Sequence, residues 1–224
     1  MAVTMIARRT FCLSAVSITT AGLAGCAEYF FFRMKMTADV EVDQVVRTGS
    51  STIEFKATSP PSWLEEMWNV QSRARGEAAV VDLGERGLLF VTLSGQNLSI
   101  DSISYFDELP WSVFWRTSQA PDKVGGARNV GSFSDRTRLI ASSQTRIELN
   151  RDEIPLLVHF RNVNDPTSVE IVDPTNLAAS FGSGTSLLRV TLEITRDPVS
   201  RGIGNVLPWL DSPNQDFPTA GKIG

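Results

Sequence analysis

Cysteine and histidine are the scarcest reactive residues in this 224-residue chain, with two of the first and one of the second. Cys12 and Cys26 both lie near the start, so nothing beyond Cys26 can form a disulfide, supply a thiolate nucleophile or hold zinc through sulfur. The rest of the chain must be stable by packing alone. His159 is the only imidazole, and a Ser-His-Asp or histidine-zinc arrangement would have to use it. Its setting, Leu157-Val158-His159-Phe160, reads instead as a strand with His159 on the wetter side. Gly-x-Ser-x-Gly elbows, Ser-x-x-Lys pairs, P-loops and paired-glycine dinucleotide fingerprints are all missing. So is any dense basic segment. Net charge is −4 with the charges dispersed, which argues against a nucleic-acid groove. No Lys/Arg run follows Cys26 to meet anionic lipid head groups. Asn162, Asn164, Asp165 and Asp173 offer oxygen ligands without the rhythm of a calcium loop, and helix capping accounts for the two acids. Neither a metal nor a cofactor is expected.

Long apolar runs are also lacking. Residues 11–23 are apolar but diluted by Ser14, Ser17, Thr19 and Thr20, and this stretch is too short to span a bilayer comfortably. It follows Arg8-Arg9 in a segment without acids, the layout of an export signal. Leu23-Ala24-Gly25-Cys26 closes it, and only small residues stand next to the cysteine, as a peptidase with a narrow site requires. This tetrapeptide resembles the lipobox of bacterial lipoprotein precursors. The resemblance implies cleavage before Cys26 and a thioether-linked diacylglycerol on its sulfur, with Leu23, Ala24 and Gly25 as the processing residues. An uncleaved signal anchor over residues 11–32 stays open as an alternative. Arg8-Arg9-Thr10-Phe11 resembles part of a twin-arginine signal, although Cys12 departs from that pattern, so the export route stays open as well. Ala27, in place of an aspartate, favours the outer membrane by resemblance to sorted lipoproteins. Removing residues 1–25 takes away two arginines and no acid, which leaves the remainder at −6.

The clearest pattern begins at residue 30. Phe32, Met34, Met36, Ala38, Val40 and Val42 alternate with Arg33, Lys35, Thr37, Asp39, Glu41 and Asp43, a strand with one buried and one wet face. Tyr29-Phe30-Phe31-Phe32 reads either as a membrane contact or as the start of the buried face at Phe30 and Phe32, with Tyr29 and Phe31 at a sheet edge or near the anchor. A turn at 44–49 and a second strand at 51–56 follow, ended by Ser59-Pro60-Pro61. Ser62 and Glu65 form a capping box ahead of a short helix carrying Trp63 and Trp68, a candidate aromatic contact surface or a cap on the sheet. Residues 77–83 and 88–93 form a hairpin around Gly84-Glu85-Arg86-Gly87. Residues 109–115 are aromatic-rich and read as irregular, and 118–134 as a long mobile loop.

Further strands are expected at 146–149 and 155–160. Asp165-Pro166 and Asp173-Pro174 each pair an N-cap acid with a first-turn proline, the second opening a helix that Gly182 stops. Gly182-Ser183-Gly184 then reads as a C-cap, not an anion cradle. Leu188, Val190, Leu192 and Ile194 give a second clean alternation. After residue 197, only Leu207-Pro208-Trp209-Leu210 looks anchored to the core. The segments Arg47-Thr48-Gly49-Ser50-Ser51, Asn164-Asp165-Pro166, Leu177-Ala178-Ala179-Ser180-Phe181-Gly182 and Leu207-Pro208-Trp209-Leu210 resemble a group of uncharacterised bacterial lipoproteins. That resemblance spans most of residues 30–210 and implies no activity or site residue.

The fold expected is α+β, dominated by antiparallel sheet in a sandwich-like arrangement, with a few short helices. Residues 1–25 are the signal, 26–29 the lipidated start and short tether, 30–210 one β-rich domain and 211–224 a tail. The expected role is a non-enzymatic interaction or assembly module, held to the cell envelope by its lipid and facing an envelope protein. A hydrolase using a carboxylate pair and a small-ligand-binding lipoprotein are the alternatives.

Overall fold

The computed structural model describes residues 28–59, 71–96, 105–118 and 133–211. Leu23, Ala24, Gly25, Cys26, the Trp63–Trp68 segment, most of the 118–134 loop and nearly all of the tail lie outside them. Among the described residues, two antiparallel sheets pack face to face and short helices close the ends, the mostly β, sandwich-like α+β fold expected. The first sheet has the order β3-β2-β1-β9-β6, from β1 (Glu28–Val42), β2 (Val45–Ser59), β3 (Gln71–Arg75), β6 (Ile147–Glu148) and β9 (Thr185–Thr195). The second has the order β4-β5-β7-β8, from β4 (Ala79–Asp82), β5 (Leu88–Val91), β7 (Leu157–Phe160) and β8 (Val169–Val172).

Period-two patterning explains the interior. Met34, Met36, Ala38 and Val40 of β1, Ile53 and Phe55 of β2, and Val190 and Leu192 of β9 point inward and are fully buried. They meet Ala79, Val81, Leu89, Val91 and Leu157 of the second sheet. The other face of that sheet is also covered. Phe90 and Val158 pack with Leu207 in a second cluster joined by Phe160, Ile203, Trp209 and Leu210, with the Trp209 indole donating to the Val163 carbonyl at 2.9 Å. The C-terminal Leu-Pro-Trp-Leu is thus the lid of this second layer. Between the sheets, a Cβ on Gly49 would fall onto the carbonyl of Val80, so β2 needs a glycine at that crossing.

Several local expectations are corrected. The turn after β1 is not 44–49 but the two residues Asp43 and Gln44, both left-handed (φ 50° and 68°), and β2 begins at Val45. Residues 45–48 have no buried side chain to reveal a strand; their pairing with β1 makes one. The 109–115 stretch is not irregular. It lies inside helix α1 (Tyr105–Ser118), with Pro110 within the helix and Leu109, Val113 and Phe114 buried. The 118–134 loop is shorter than expected, because Phe133 opens helix α2 (Phe133–Ser142). The inward positions of α2 are Ser134, Thr137 and Ile140, so its buried stripe is mostly polar and gives no apolar period to read. The Thr137 hydroxyl donates to the Phe133 carbonyl and accepts the Trp111 indole N–H at 3.2 Å.

In β9, the register shifts where Asp39 and Val40 of β1 are reached, with Arg189 opposite Asp39 and Leu187 opposite Val40. Leu188 is the extra residue of this bulge and stands 45% exposed, not on the buried face. Asp173 accepts from the backbone and hydroxyl of Thr175, but helix α3 (Leu177–Phe181) starts only after Asn176. Asp165 caps the single turn Pro166–Ser168 as expected, and Gly182 (φ 87°) stops α3 by donating to the Ala178 carbonyl.

Candidate functional site

The outer face of the five-stranded sheet carries the most functional-group chemistry, and strand register decides what meets there. Thr48 of β2, Asp39 of β1 and Arg189 of β9 form one cross-strand row. Asp39 and Thr37, expected on a wet face, are 5% and 7% exposed. The Thr48 hydroxyl donates to Asp39 Oδ1 at 2.7 Å and Arg189 Nε to Oδ2 at 2.8 Å, while Arg146 Nε donates to the Thr191 hydroxyl nearby. Burial pushes the Asp39 pKa up, but these two hydrogen bonds and the charges of Arg189 and Arg146 outweigh it, and the carboxyl sits below its ordinary value. This row is a locked structural pair more than a reactive one.

Beyond β9 the chain crosses this face diagonally. Arg33 donates to the carbonyls of Arg196 and Asp197, Lys35 meets Asp197 at 3.5 Å, and Ser200 bonds both backbone groups of Thr52. An open cleft of about 430 Å³ lies between this crossing segment and the β2–β3 edge, with Glu54, Glu77, Arg75, Arg201 and Asn205 in its lining. Its two carboxylates already have partners. Glu54 pairs with Lys56 at 3.0 Å, and Glu77 accepts the Ile203 amide, fixing the start of α4 (Ile203–Val206). The cleft is therefore a polar seam between the crossing segment and the sheet.

No family model, curated protein or solved structure matches the chain. Functional reading therefore rests on the residues themselves. His159 Nε2 lies 2.9 Å from Glu170 Oε2, directly across the β7–β8 pair, and its ring is 5.1 Å from that of Phe181. Arg161 shares the same carboxylate at 2.7 Å. His159 is thus a half-buried cross-strand partner. Asn162, Asp165 and Asp173 bond to the backbone of Asn164, Thr167 and Thr175, and among the described residues no group of three or more His, Cys, Asp or Glu could hold a metal. The carbonyls of Phe181, Gly182 and Ser183 converge on the Arg86 guanidinium, so the Gly-Ser-Gly turn binds a cation of the protein itself.

Toward the start of β1 the same outer face changes character. Tyr29 is 81% exposed and Phe31 54% exposed. Arg73 of β3, Lys56 of β2 and Phe31 form one row, and Arg75, Glu54 and Arg33 form the next. The guanidinium of Arg33 lies over the Phe31 ring at 5.3 Å. No stretch of sequence holds this group; three strands assemble it. At the opposite end of the β1–β2 ribbon Val45 and Val46 are 54% and 55% exposed. Among the described residues no helix is long and apolar enough to cross a membrane.

Proposed function

We propose that this chain is a lipid-anchored interaction module of the bacterial cell envelope, attached through acylated Cys26 and contacting an envelope protein with its far end. The path of β1 carries the reading. It starts at Glu28, two residues after Cys26, and runs through the middle of the first sheet to the Asp43-Gln44 turn. Fourteen steps of about 3.3 Å put the turn roughly 45 Å from the anchored end. There Val45 and Val46 stand in solvent on β2, and Leu188 is exposed on β9, with β1 between them. Apolar groups clustered and rimmed by charge mark contact surfaces more often than idle ones. The lipobox-like tetrapeptide supports the anchor, and Ala27 after the cysteine supports the outer membrane and its periplasmic face.

The anchor is tested by the mass of the mature N-terminus from membranes, compared with Cys26→Ser. An acyl mass on Cys26 that vanishes in the variant is expected; an intact residue 1 or an unmodified cysteine overturns it. The contact is tested by a photo-crosslinker placed at Val46 in living cells. A discrete adduct is expected that is absent when the crosslinker sits at Glu193 on the flank of the sheet. Equal, diffuse adducts from both positions overturn it.

A further inference from the structure

We infer that the outer face of the first sheet at the start of β1 is a docking surface for a bilayer leaflet bearing anionic phospholipid head groups. This rests on the lipid anchor proposed above and adds to it a fixed orientation of the protein on the membrane.

Three independent features of that face point the same way. The first is reach. Glu28 follows Cys26 by two residues and Phe31 by five, so even a fully extended chain keeps Phe31 within about 17 Å of the acylated sulfur. The second is apolar exposure. Tyr29 and Phe31 are large aromatic side chains left in water at the point nearest the anchor, and such rings favour the head-group zone, where an apolar body and a polar rim are both satisfied.

Charge is the third feature, and it selects the lipid. Lys56 stands beside Phe31 with its side chain 63% exposed, Arg73 continues that row, and Arg75 and Arg33 occupy the next. Arg33 is held by the Arg196 and Asp197 carbonyls, so three cations, Lys56, Arg73 and Arg75, stand against the one acid of the two rows, Glu54, which is tucked to 14% exposure against Lys56. The chain from Cys26 onward is acidic, at −6, so a basic end on an acidic body turns that end toward a negative surface and the rest away. Long Lys and Arg stems also let the charged heads reach phosphates while the aromatics sink between them. A single acylated residue leaves the body free to roll; a basic aromatic face held against the leaflet stops it and aims the Val45-Val46 end outward.

The lack of cysteine after Cys26 makes the test direct. Single-cysteine variants of the mature lipidated protein, which begins at acylated Cys26, are reconstituted into vesicles of phosphatidylcholine, or of an equimolar mixture of phosphatidylcholine and phosphatidylglycerol. Labelling by a membrane-impermeant maleimide is then timed. Phe31→Cys reports the docked face, Thr58→Cys reports it with both aromatics intact, and Val46→Cys reports the far end. Each basic side chain near an anionic leaflet strengthens attraction about fivefold, so labelling at positions 31 and 58 is expected to slow by more than about tenfold on the anionic vesicles. Position 46 is expected to react alike on both. K56E/R73E/R75E restores fast labelling. So does about 0.5 M salt on the unsubstituted face, which keeps the test valid if the triple variant does not fold. Equal labelling on both vesicle types overturns the docking surface while leaving the anchor in place. A protein that floats with neither vesicle type overturns the anchor and the docking together. Flotation only with anionic vesicles, lost in the triple variant, retains the docking and removes the acyl anchor.

Discussion

Arg86 closes on Asp43 with both carboxylate oxygens in hand, Nη2 lying 2.8 Å from Oδ1 and 2.7 Å from Oδ2. Its other terminal nitrogen, Nη1, donates to the α3–β9 turn carbonyls and to the Thr185 hydroxyl. One guanidinium from the β4–β5 connection thereby ties the β1–β2 hairpin to the end of α3. Two terminal nitrogens set apart on one rigid plane allow it, since an ammonium has a single nitrogen and could not serve both sides at once.

The two partners should not matter equally. Asp43 is 66% exposed and Arg86 only 23%, so screening makes the ion pair itself a small term. Arg86→Ala also removes the partly buried bonds to the Phe181 carbonyl and the Thr185 hydroxyl and is expected to cost about 1–3 kcal/mol in urea unfolding. Asp43→Asn is expected to cost less than about 1 kcal/mol. Equal losses in the two variants would contradict this division.

Asp39 predicts acid sensitivity. Its folded pKa lies below the ordinary value despite burial, because Thr48 and Arg189 donate to it and Arg189 and Arg146 add positive charge. A depressed carboxylate contributes stability that is full above its unfolded value, about 3.9, and fades as pH falls through the folded value. Asp39→Asn is expected to lose roughly 1–2 kcal/mol at neutral pH and to show a shallower decline below about pH 4. Denaturant midpoints across that range measure it, and parallel curves for the two proteins would refute it.

Gly49 and Gly87 separate two kinds of glycine requirement. Gly49 is needed for space, since a Cβ would collide with the Val80 carbonyl between the sheets. Gly87 has open surroundings but φ of 97°. Gly49→Ala is expected to cost about 2–3 kcal/mol through forced separation of the sheets, and Gly87→Ala about 1 kcal/mol through backbone strain. The reverse order in thermal melts would place the close approach elsewhere.

Replacing Val45 and Val46 together by serine tests the far-end contact without disturbing the core. Both side chains are more than half exposed, so the midpoint of unfolding is expected to stay within about 0.5 kcal/mol of wild type. The adduct formed through a crosslinker at neighbouring Arg47 is expected to vanish. Its persistence would detach the contact from these two valines.

Elements whose burial follows their own period were legible in the residues. β1 was read nearly to its ends, and the β4–β5 hairpin, β7 and the Leu207-Trp209 anchor were found because each places apolar groups where a simple repeat or turn signal expects them. α2 was missed because its inward stripe is Ser134 and Thr137, and α1 because Pro110 and its aromatics read as a break. Leu188 was misplaced for a different reason. A bulge is a property of two strands in register, and β9 alone carries no mark of the extra residue that turns it outward.

The residues alone thus determined the fold class, the orientation of β1 and the freedom of the chain after Cys26 from thiol chemistry, since periodicity and composition are local properties. Tertiary structure alone decided the pairing of buried Asp39 with half-exposed Arg189, the Arg86 clamp and the basic aromatic face of Phe31, Lys56, Arg73 and Arg75. Those groups come from separate strands, and only backbone hydrogen bonding between the strands brings their side chains within reach of one another.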